Sequence, residues 1–204
     1  MVTAGLARQI KPLARSFYER NTQVVAFELI GKVLRLDENG TLVTGRIVET
    51  EAYFGKQDPA SHAFRGPTPR NSVMFGPAGY SYVYFTYGNH HCLNVVTEGE
   101  GIAGAVLIRA VEPEEGISAI RKRRGALRDE ELTNGPGKLT QAFGITREHS
   151  GMDLTEGKFC ITDEGGGSKM LRIQVATRIG ISKAKHLPLR FYEIGNPFVS
   201  VTVD

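Results

Sequence analysis

Two acids and a tyrosine, Glu49, Glu51 and Tyr53, close the stretch RIVETEAY at residues 46–53. On an extended chain the two acids, two residues apart, point to one face. They end an apolar strand just before Gly55 and Pro59 open a loop, and the rim of a sheet is a common place for chemistry. A carboxylate there could activate a water molecule. An ordinary exposed strand end fits the pattern equally well. A second stretch, YVYFTYGNHHCLN at residues 82–94, supplies aromatic rings. Tyr82 and Tyr84 share a face by alternation, and Tyr87 falls on the other face unless a turn near Gly88 relaxes the strand. These tyrosines are also what a plain sheet would contain. Arg109 is harder to explain blandly. It sits between Ile108 and Ala110 on an apolar strand, and a charge there needs a partner such as Glu51 or a nucleic acid.

Several other patterns lead nowhere. Gly99, Gly101 and Gly104 satisfy GxGxxG, but AVLIRAVE, a strand pattern, follows where a dinucleotide site needs a helix. GPGK at residues 135–138 lacks the rest of a phosphate loop, since positions 132 and 139 are both leucine. Two glycines before a helix still expose N–H groups that could hold one phosphate beside Lys138. His90 and His91 are adjacent and point to opposite faces. With His62 and Cys92 they show no zinc-like spacing, so no metal is expected.

The elements around these residues read as follows. A helix is expected from about Ser16 to Gly31, then a strand at Val33–Leu36. Asn39-Gly40 is a tight-turn signal that returns the chain through Thr41–Glu51. Gly55–Gly79, rich in proline and glycine, is a long loop of the kind that is usually functional. Strands are expected at Tyr80–Tyr87, His91–Thr97 and Gly104–Glu112. Glu114 and Glu115 are expected to open a helix at its positive end. A short helix at Lys138–Phe143 and strands at Phe159–Thr162, Arg172–Thr177 and Leu189–Val203 complete the pattern. The fold expected is α+β, a single domain over residues 1–204 built on a curved antiparallel sheet flanked by helices.

The 204 residues suffice for one full core, and 41% hydrophobic with 23% charged residues is ordinary for a globular protein. A net charge of +3 is compatible with nucleic acid without requiring it. Arg121, Lys122, Arg123, Arg124 and Arg128 lie within eight positions, a run that is usually a solvated helix face. Two distant cysteines, Cys92 and Cys160, imply no disulfide framework. No secretory leader or apolar run of membrane-spanning length is evident, so a cytoplasmic location is expected, at the nucleoid if the source is bacterial.

Seven blocks then carry a resemblance. RIVETEAYFG (46–55), SHAFRGPTPRNSVMFGPAG (61–79), YVYFTYG (82–88), CLN (92–94), VLIRAVEP (106–113), GPGKLTQAFGI (135–145) and PLRFYEIGNPFVSV (188–201) together resemble the alkyladenine (3-methyladenine) DNA glycosylase family, in that family's order. The resemblance implies a base-excision enzyme that flips alkylated or deaminated purines out of duplex DNA. Its substrates would be 3-methyladenine, 7-methylguanine, hypoxanthine and ethenoadenine. It implies Glu51 as general base, a part Glu49 does not have in the family pattern, and Arg109 near the base and the water. Tyr53 and Tyr84 would be the stacking walls, His62 a pocket histidine on the other side of the base, and Asn94 the pocket floor that screens purine edges. Tyr87 would be the residue that enters the helix in place of the flipped nucleotide, with Arg70 and Lys138 on the phosphates. His90 and His91 depart from the family pattern, which has aromatic residues beside the wedge. No lysine suggests a Schiff base, so a monofunctional enzyme is expected that leaves an abasic site and acts as a monomer without cofactor. The competing readings are a non-catalytic module for distorted or damaged DNA and a metal-dependent hydrolase using His62, Glu51 and His90.

Overall fold

The helical pattern after Pro12 resolves into two short helices, α1 (Arg15–Tyr18) and α2 (Thr22–Glu28), in place of one long one. Asn21 causes the break: its backbone is non-helical, and its side chain accepts the Gln23 N–H as an N-cap. This is a computed structural model, and it describes residues 11–86, 90–125, 128–163 and 171–201. Strand β1 (Val33–Glu38) turns through Asn39 and Gly40, with φ of 52° and 74°, into β2 (Thr41–Phe54). Two consecutive positive φ values are what a tight hairpin of this twist requires, and Asn-Gly supplies them at least cost. The hairpin is in register from Val33 against Arg46 to Glu38 against Thr41.

A single 3₁₀ turn, Ser72–Phe75, interrupts the proline-rich loop. Strands β3 (Ser81–Thr86), β4 (His90–Val96) and β5 (Gly104–Glu115) follow. β5 runs on through Glu114 and Glu115, so these acids end a strand and do not open the next helix. Gly116, at φ 72°, makes the corner, and a Cβ there would lie 2.4 Å from the Leu42 carbonyl oxygen. Helix α3 (Ile117–Arg124) starts only after it. Helix α4 (Pro136–Phe143), β6 (Phe159–Thr162), β7 (Ile173–Ala176) and β8 (Arg190–Glu193) complete the chain. The last strand is shorter than its sequence suggests, because Gly195 at φ 78° turns the chain away two residues after Glu193.

All eight strands join one curved antiparallel sheet in the order β3-β4-β5-β2-β1-β6, with β8 on β2 and β7 on β8. β2 is its hub. Its first half pairs with β1, its far end with β8 through Glu49–Glu51, and its other edge with β5 throughout. One face of the sheet is apolar. Ala52, Val83, Leu93, Val95, Val106 and Ile108 join Val25, Ala26 and Leu29 of α2 and Leu139, Ala142 and Phe143 of α4 in the main core. Burying a valine, leucine or isoleucine side chain stabilises by about 1.5–3 kcal/mol, and five of the six sheet residues just named are of that kind. The α+β, single-sheet architecture is the one expected from sequence.

Between β2 and β5 the ladder is irregular. Ile47 pairs with Val111, Glu49 with Ala110 and Thr50 with Ile108, which leaves Val48 and Arg109 without paired residues. Such bulges re-aim side chains next to functional sites. Here they move Val48 and Ala110 into a small separate cluster with Tyr192 and Val199, while Glu49 and Arg109 turn to the face away from the main core.

Candidate active site

That opposite face carries the site. Tyr82 stands opposite Asn94, Tyr84 opposite Cys92, Asn94 opposite Leu107, and Glu51 opposite Leu107 on the far side. Period-two alternation on four neighbouring strands therefore sends Tyr82, Tyr84, Cys92, Asn94, Ala105, Leu107, Glu51 and Tyr53 the same way. All of them except Glu51 line a cleft of about 710 Å³. The other walls come from loops: Pro59–His62, Arg70, and Ile179–Lys183. That is the scale of a small-molecule site, which runs from about 300 to 1,000 Å³.

Glu51 is fully buried directly behind this wall. Its Oε2 accepts the Tyr53 hydroxyl at 2.7 Å, and its Oε1 accepts the backbone N–H of Ile179 at 2.7 Å. Arg109 Nη1 lies 3.3 Å from Oε2 as an ion pair. Glu49, equally buried, is bonded more heavily. Its Oε1 accepts from Arg109 Nε at 3.0 Å, Arg190 Nε at 2.7 Å and Ser200 Oγ at 2.9 Å, and its Oε2 accepts the Ser200 N–H at 2.7 Å. A carboxylate offers about four acceptor sites. Glu49 has four donors around it, three of them on Oε1, whereas Glu51 has three, all from residues that line the cleft. These partners, and not their position on the strand, separate the two acids.

A third buried pair braces the wall. Asp58 and Arg178, 1% and 5% exposed, form a two-point ion pair through Oδ2 at 2.5 Å and Oδ1 at 2.8 Å. The Arg178 guanidinium also caps the Ala52 carbonyl at 2.9 Å and lies 4.6 Å over the Tyr53 ring. One side chain thus holds the tyrosine wall and the backbone that delivers the Ile179 N–H. The buried ensemble is electrically balanced, with Glu49, Glu51 and Asp58 against Arg109, Arg178 and Arg190. Burial alone would lower the pKa of Arg109, but the Glu51 and Glu49 charges outweigh it and raise it. Tyr53 is raised by burial and then by the Glu51 charge, so its hydroxyl stays a donor to that carboxylate.

The sequence-derived site residues fall as follows. Tyr53, His62, Arg70, Tyr84, Asn94 and Arg109 all line the one cleft. His62 and Tyr84 touch edge to face at 4.5 Å. A base sandwiched between two rings needs them about 7 Å apart, twice the ~3.5 Å contact distance, so these two form one wall and not opposite walls. His62 Nδ1 shares a hydrogen bond with the Tyr82 hydroxyl at 2.9 Å. The His62 pKa is lowered by burial of its ring and then by the Arg70 charge. Arg70 lies 5.7 Å over the Tyr84 ring and reaches the Phe85 carbonyl at 3.2 Å. Asn94 Nδ2 donates to the Tyr82 carbonyl at 3.0 Å, which turns the carbonyl end of its amide to the cleft. Lys138 donates to Asn134 Oδ1 at 2.7 Å near the start of α4, whose Pro136 reaches the cleft edge. Gly137 packs on His90, where an added Cβ would meet the His90 Cβ at 2.8 Å. His91 packs on Phe85. Tyr87 and Gly88 lie outside the described residues. Among the described residues, no group of three or more His, Cys, Asp or Glu could hold a metal ion.

Arg178, Asp58, Ile179, Arg190 and Ser200 were missed by sequence reasoning. An arginine between Thr177 and Ile179 gives no local sign of burial, and a backbone N–H carries no sequence mark at all. Lys183, on a loop with no regular pattern, arrives exposed at the cleft wall. The basic run is largely occupied: Arg121 pairs with Asp129, Arg128 with Glu131, Arg123 bonds the Ala142 carbonyl of α4, and Arg124 bonds Gln141 of α4 and the Leu132 carbonyl before it.

A cleft floored by one sheet face, with aromatic walls and a buried carboxylate bonded to one of them, has the shape and chemistry to hold a planar ring. Comparison with known proteins supplies the class. Residues 16–197 match the model of the methylpurine-DNA glycosylase (MPG) family. A protein of Carboxydothermus hydrogenoformans named "Putative 3-methyladenine DNA glycosylase" is 51% identical over 188 residues, covering 92% of this chain and 98% of its own. Namesakes from Chlorobium luteolum and Methanoculleus marisnigri are 47% and 48% identical, each over 92% of this chain and 96% and 98% of their own. The chain belongs to the methylpurine-DNA glycosylase family, DNA glycosylases of repair. Among the described residues no helix is long and apolar enough to cross a membrane.

Proposed function

We propose that this protein excises damaged purines from duplex DNA by a Glu51-activated water. One observation carries the reading: of two buried glutamates two residues apart, only Glu51 takes all its partners, Tyr53, Arg109 and Ile179, from the residues that line the cleft. The target nucleotide leaves the stack at a cost of a few kcal/mol, and Tyr87 fills the gap. The base enters between Tyr53 and the Tyr84–His62 wall, over Asn94. Arg109 and the Ile179 N–H hold Glu51 while its carboxylate takes a proton from water attacking C1′, and the purine leaves with the glycosidic electron pair. Alkylated purines such as 3-methyladenine and 7-methylguanine leave readily because they are already cationic. Hypoxanthine and ethenoadenine need a proton from solvent. Arg70 and Lys138 contact phosphates. The enzyme works as a monomer without cofactor.

The test is release of free base from duplexes carrying hypoxanthine or 3-methyladenine, in EDTA, with borohydride added in parallel. Free base, a strand that breaks only in alkali, and no trapped complex are expected. A trapped protein–DNA complex would show a Schiff base and point to Lys183. Tight lesion binding without release would favour a non-catalytic binding module. Affinity should fall steeply with salt as phosphate contacts are screened, and a flat response would contradict the phosphate contacts.

A further inference from the structure

We propose that Glu49 is a positioning residue, which fixes the Arg109 guanidinium so that Nη1 faces the Glu51 carboxylate; this rests on the glycosylase reading above. An arginine guanidinium is a planar fork with five donors. One ion pair to Glu51 would leave that fork free to swing about its own side chain. Here its other edge is held. Nε donates to Glu49 Oε1 at 3.0 Å, and Nη2 lies 3.5 Å from the Ser200 hydroxyl. With that edge fixed, Nη1 can only project toward Glu51, at 3.3 Å.

Glu49 is itself immobilised. Arg190, fully buried on β8, grips the same Oε1 at 2.7 Å, and the Ser200 backbone takes Oε2 at 2.7 Å. Arg190 also bonds the Val201 carbonyl and lies 4.5 Å over the Tyr192 ring. Glu49 does not line the cleft, and of its partners only Arg109 does, so it acts through Arg109. The bulge that leaves Arg109 unpaired on β5 is what sets it beside Glu49. The segment that carries Arg190 and Ser200 therefore reaches the Glu51 carboxylate through Glu49 and Arg109. A purely structural Glu49–Arg190 pair would not need the Arg109 edge or the Ser200 hydroxyl.

The experiment is single-turnover release of hypoxanthine from a lesion duplex by wild type, Glu49→Gln and Glu49→Gln/Arg190→Met. The double variant keeps the buried charges balanced where Glu49→Gln alone fails to fold, since an orphaned buried charge is strongly destabilising. Each is repeated with Arg109→Lys, which keeps the charge but loses the fork. Release should slow by about tenfold or more, the scale of a misplaced catalytic group, with lesion affinity unchanged within about twofold. In the Arg109→Lys background, removing Glu49 should cost nothing further. A wild-type rate in the folded double variant, or losses that multiply with Arg109→Lys, would overturn the positioning role alone. No release by wild type would overturn the glycosylase reading and the positioning role with it.

Discussion

On β5, Ile108 and Arg109 are neighbours that belong to different proteins in all but sequence. Ile108 is fully buried in the main core against the helices, while Arg109 lies on the cleft face with Ala105 and Leu107 and is bound to two glutamates. The same split runs across β3, β4 and β2. Val83, Leu93 and Ala52 face the core, and Tyr84, Asn94 and Glu51 face the cleft side. One face is held by area, the other by specific donors. Area tolerates shape changes at a graded cost. Buried ion pairs do not, because removing one partner leaves the other uncompensated. The cleft face is therefore the more fragile of the two, although it holds less apolar surface.

The comparison can be broken in order of expected effect. Asp58→Ala strands Arg178 in a dry wall and should cost about 3–5 kcal/mol of stability, read from urea melts. A loss below ~1 kcal/mol would mean that the pair is dispensable. Ile108→Ala on the core face should cost about 2–5 kcal/mol yet leave excision per folded molecule near wild type. Slower excision at full folding would show that the two faces are coupled. Tyr84→Ala should weaken lesion binding by about 1–3 kcal/mol, the worth of one base stacked on an aromatic ring, with little loss of stability. Unchanged lesion affinity would remove Tyr84 from the wall.

The smallest effect concerns pH. The folded pKa of His62 is below the ordinary histidine value of about 6.5. Between those two values the unfolded chain binds more protons than the folded one, so stability is full above about pH 6.5 and falls as pH drops through the folded pKa. His62→Gln should flatten that part of the profile between about pH 7.5 and 5. A variant as pH-sensitive as wild type would assign the loss to other groups.

Much of this was legible in the sequence, and for a physical reason. Strand alternation is local, so Glu49 with Glu51, and Tyr82 with Tyr84, could be placed on one face from spacing alone. The Asn39-Gly40 turn fixed the β1–β2 register. The demand that Arg109 have an acidic partner followed from its apolar neighbours, and it was met by Glu49 as well as Glu51. What stayed hidden needed the third dimension. Ile179 reaches Glu51 and Arg178 reaches Asp58 across 128 and 120 residues of chain, and nothing in TRIGIS marks them. The helix-period reading at residues 16–31 overlooked the cap at Asn21. The acids Glu114 and Glu115 suited a helix start as well as a strand end, and Gly116 decided between them.

The most direct test is the rate at which Glu51→Gln releases free base from a lesion duplex in one turnover, measured beside wild type in EDTA. Removing a general base should slow release by about 10²–10⁴-fold, while the variant binds the lesion as tightly as wild type. Release at the wild-type rate would contradict the central claim that this buried carboxylate, and not Glu49 or a metal, activates the water.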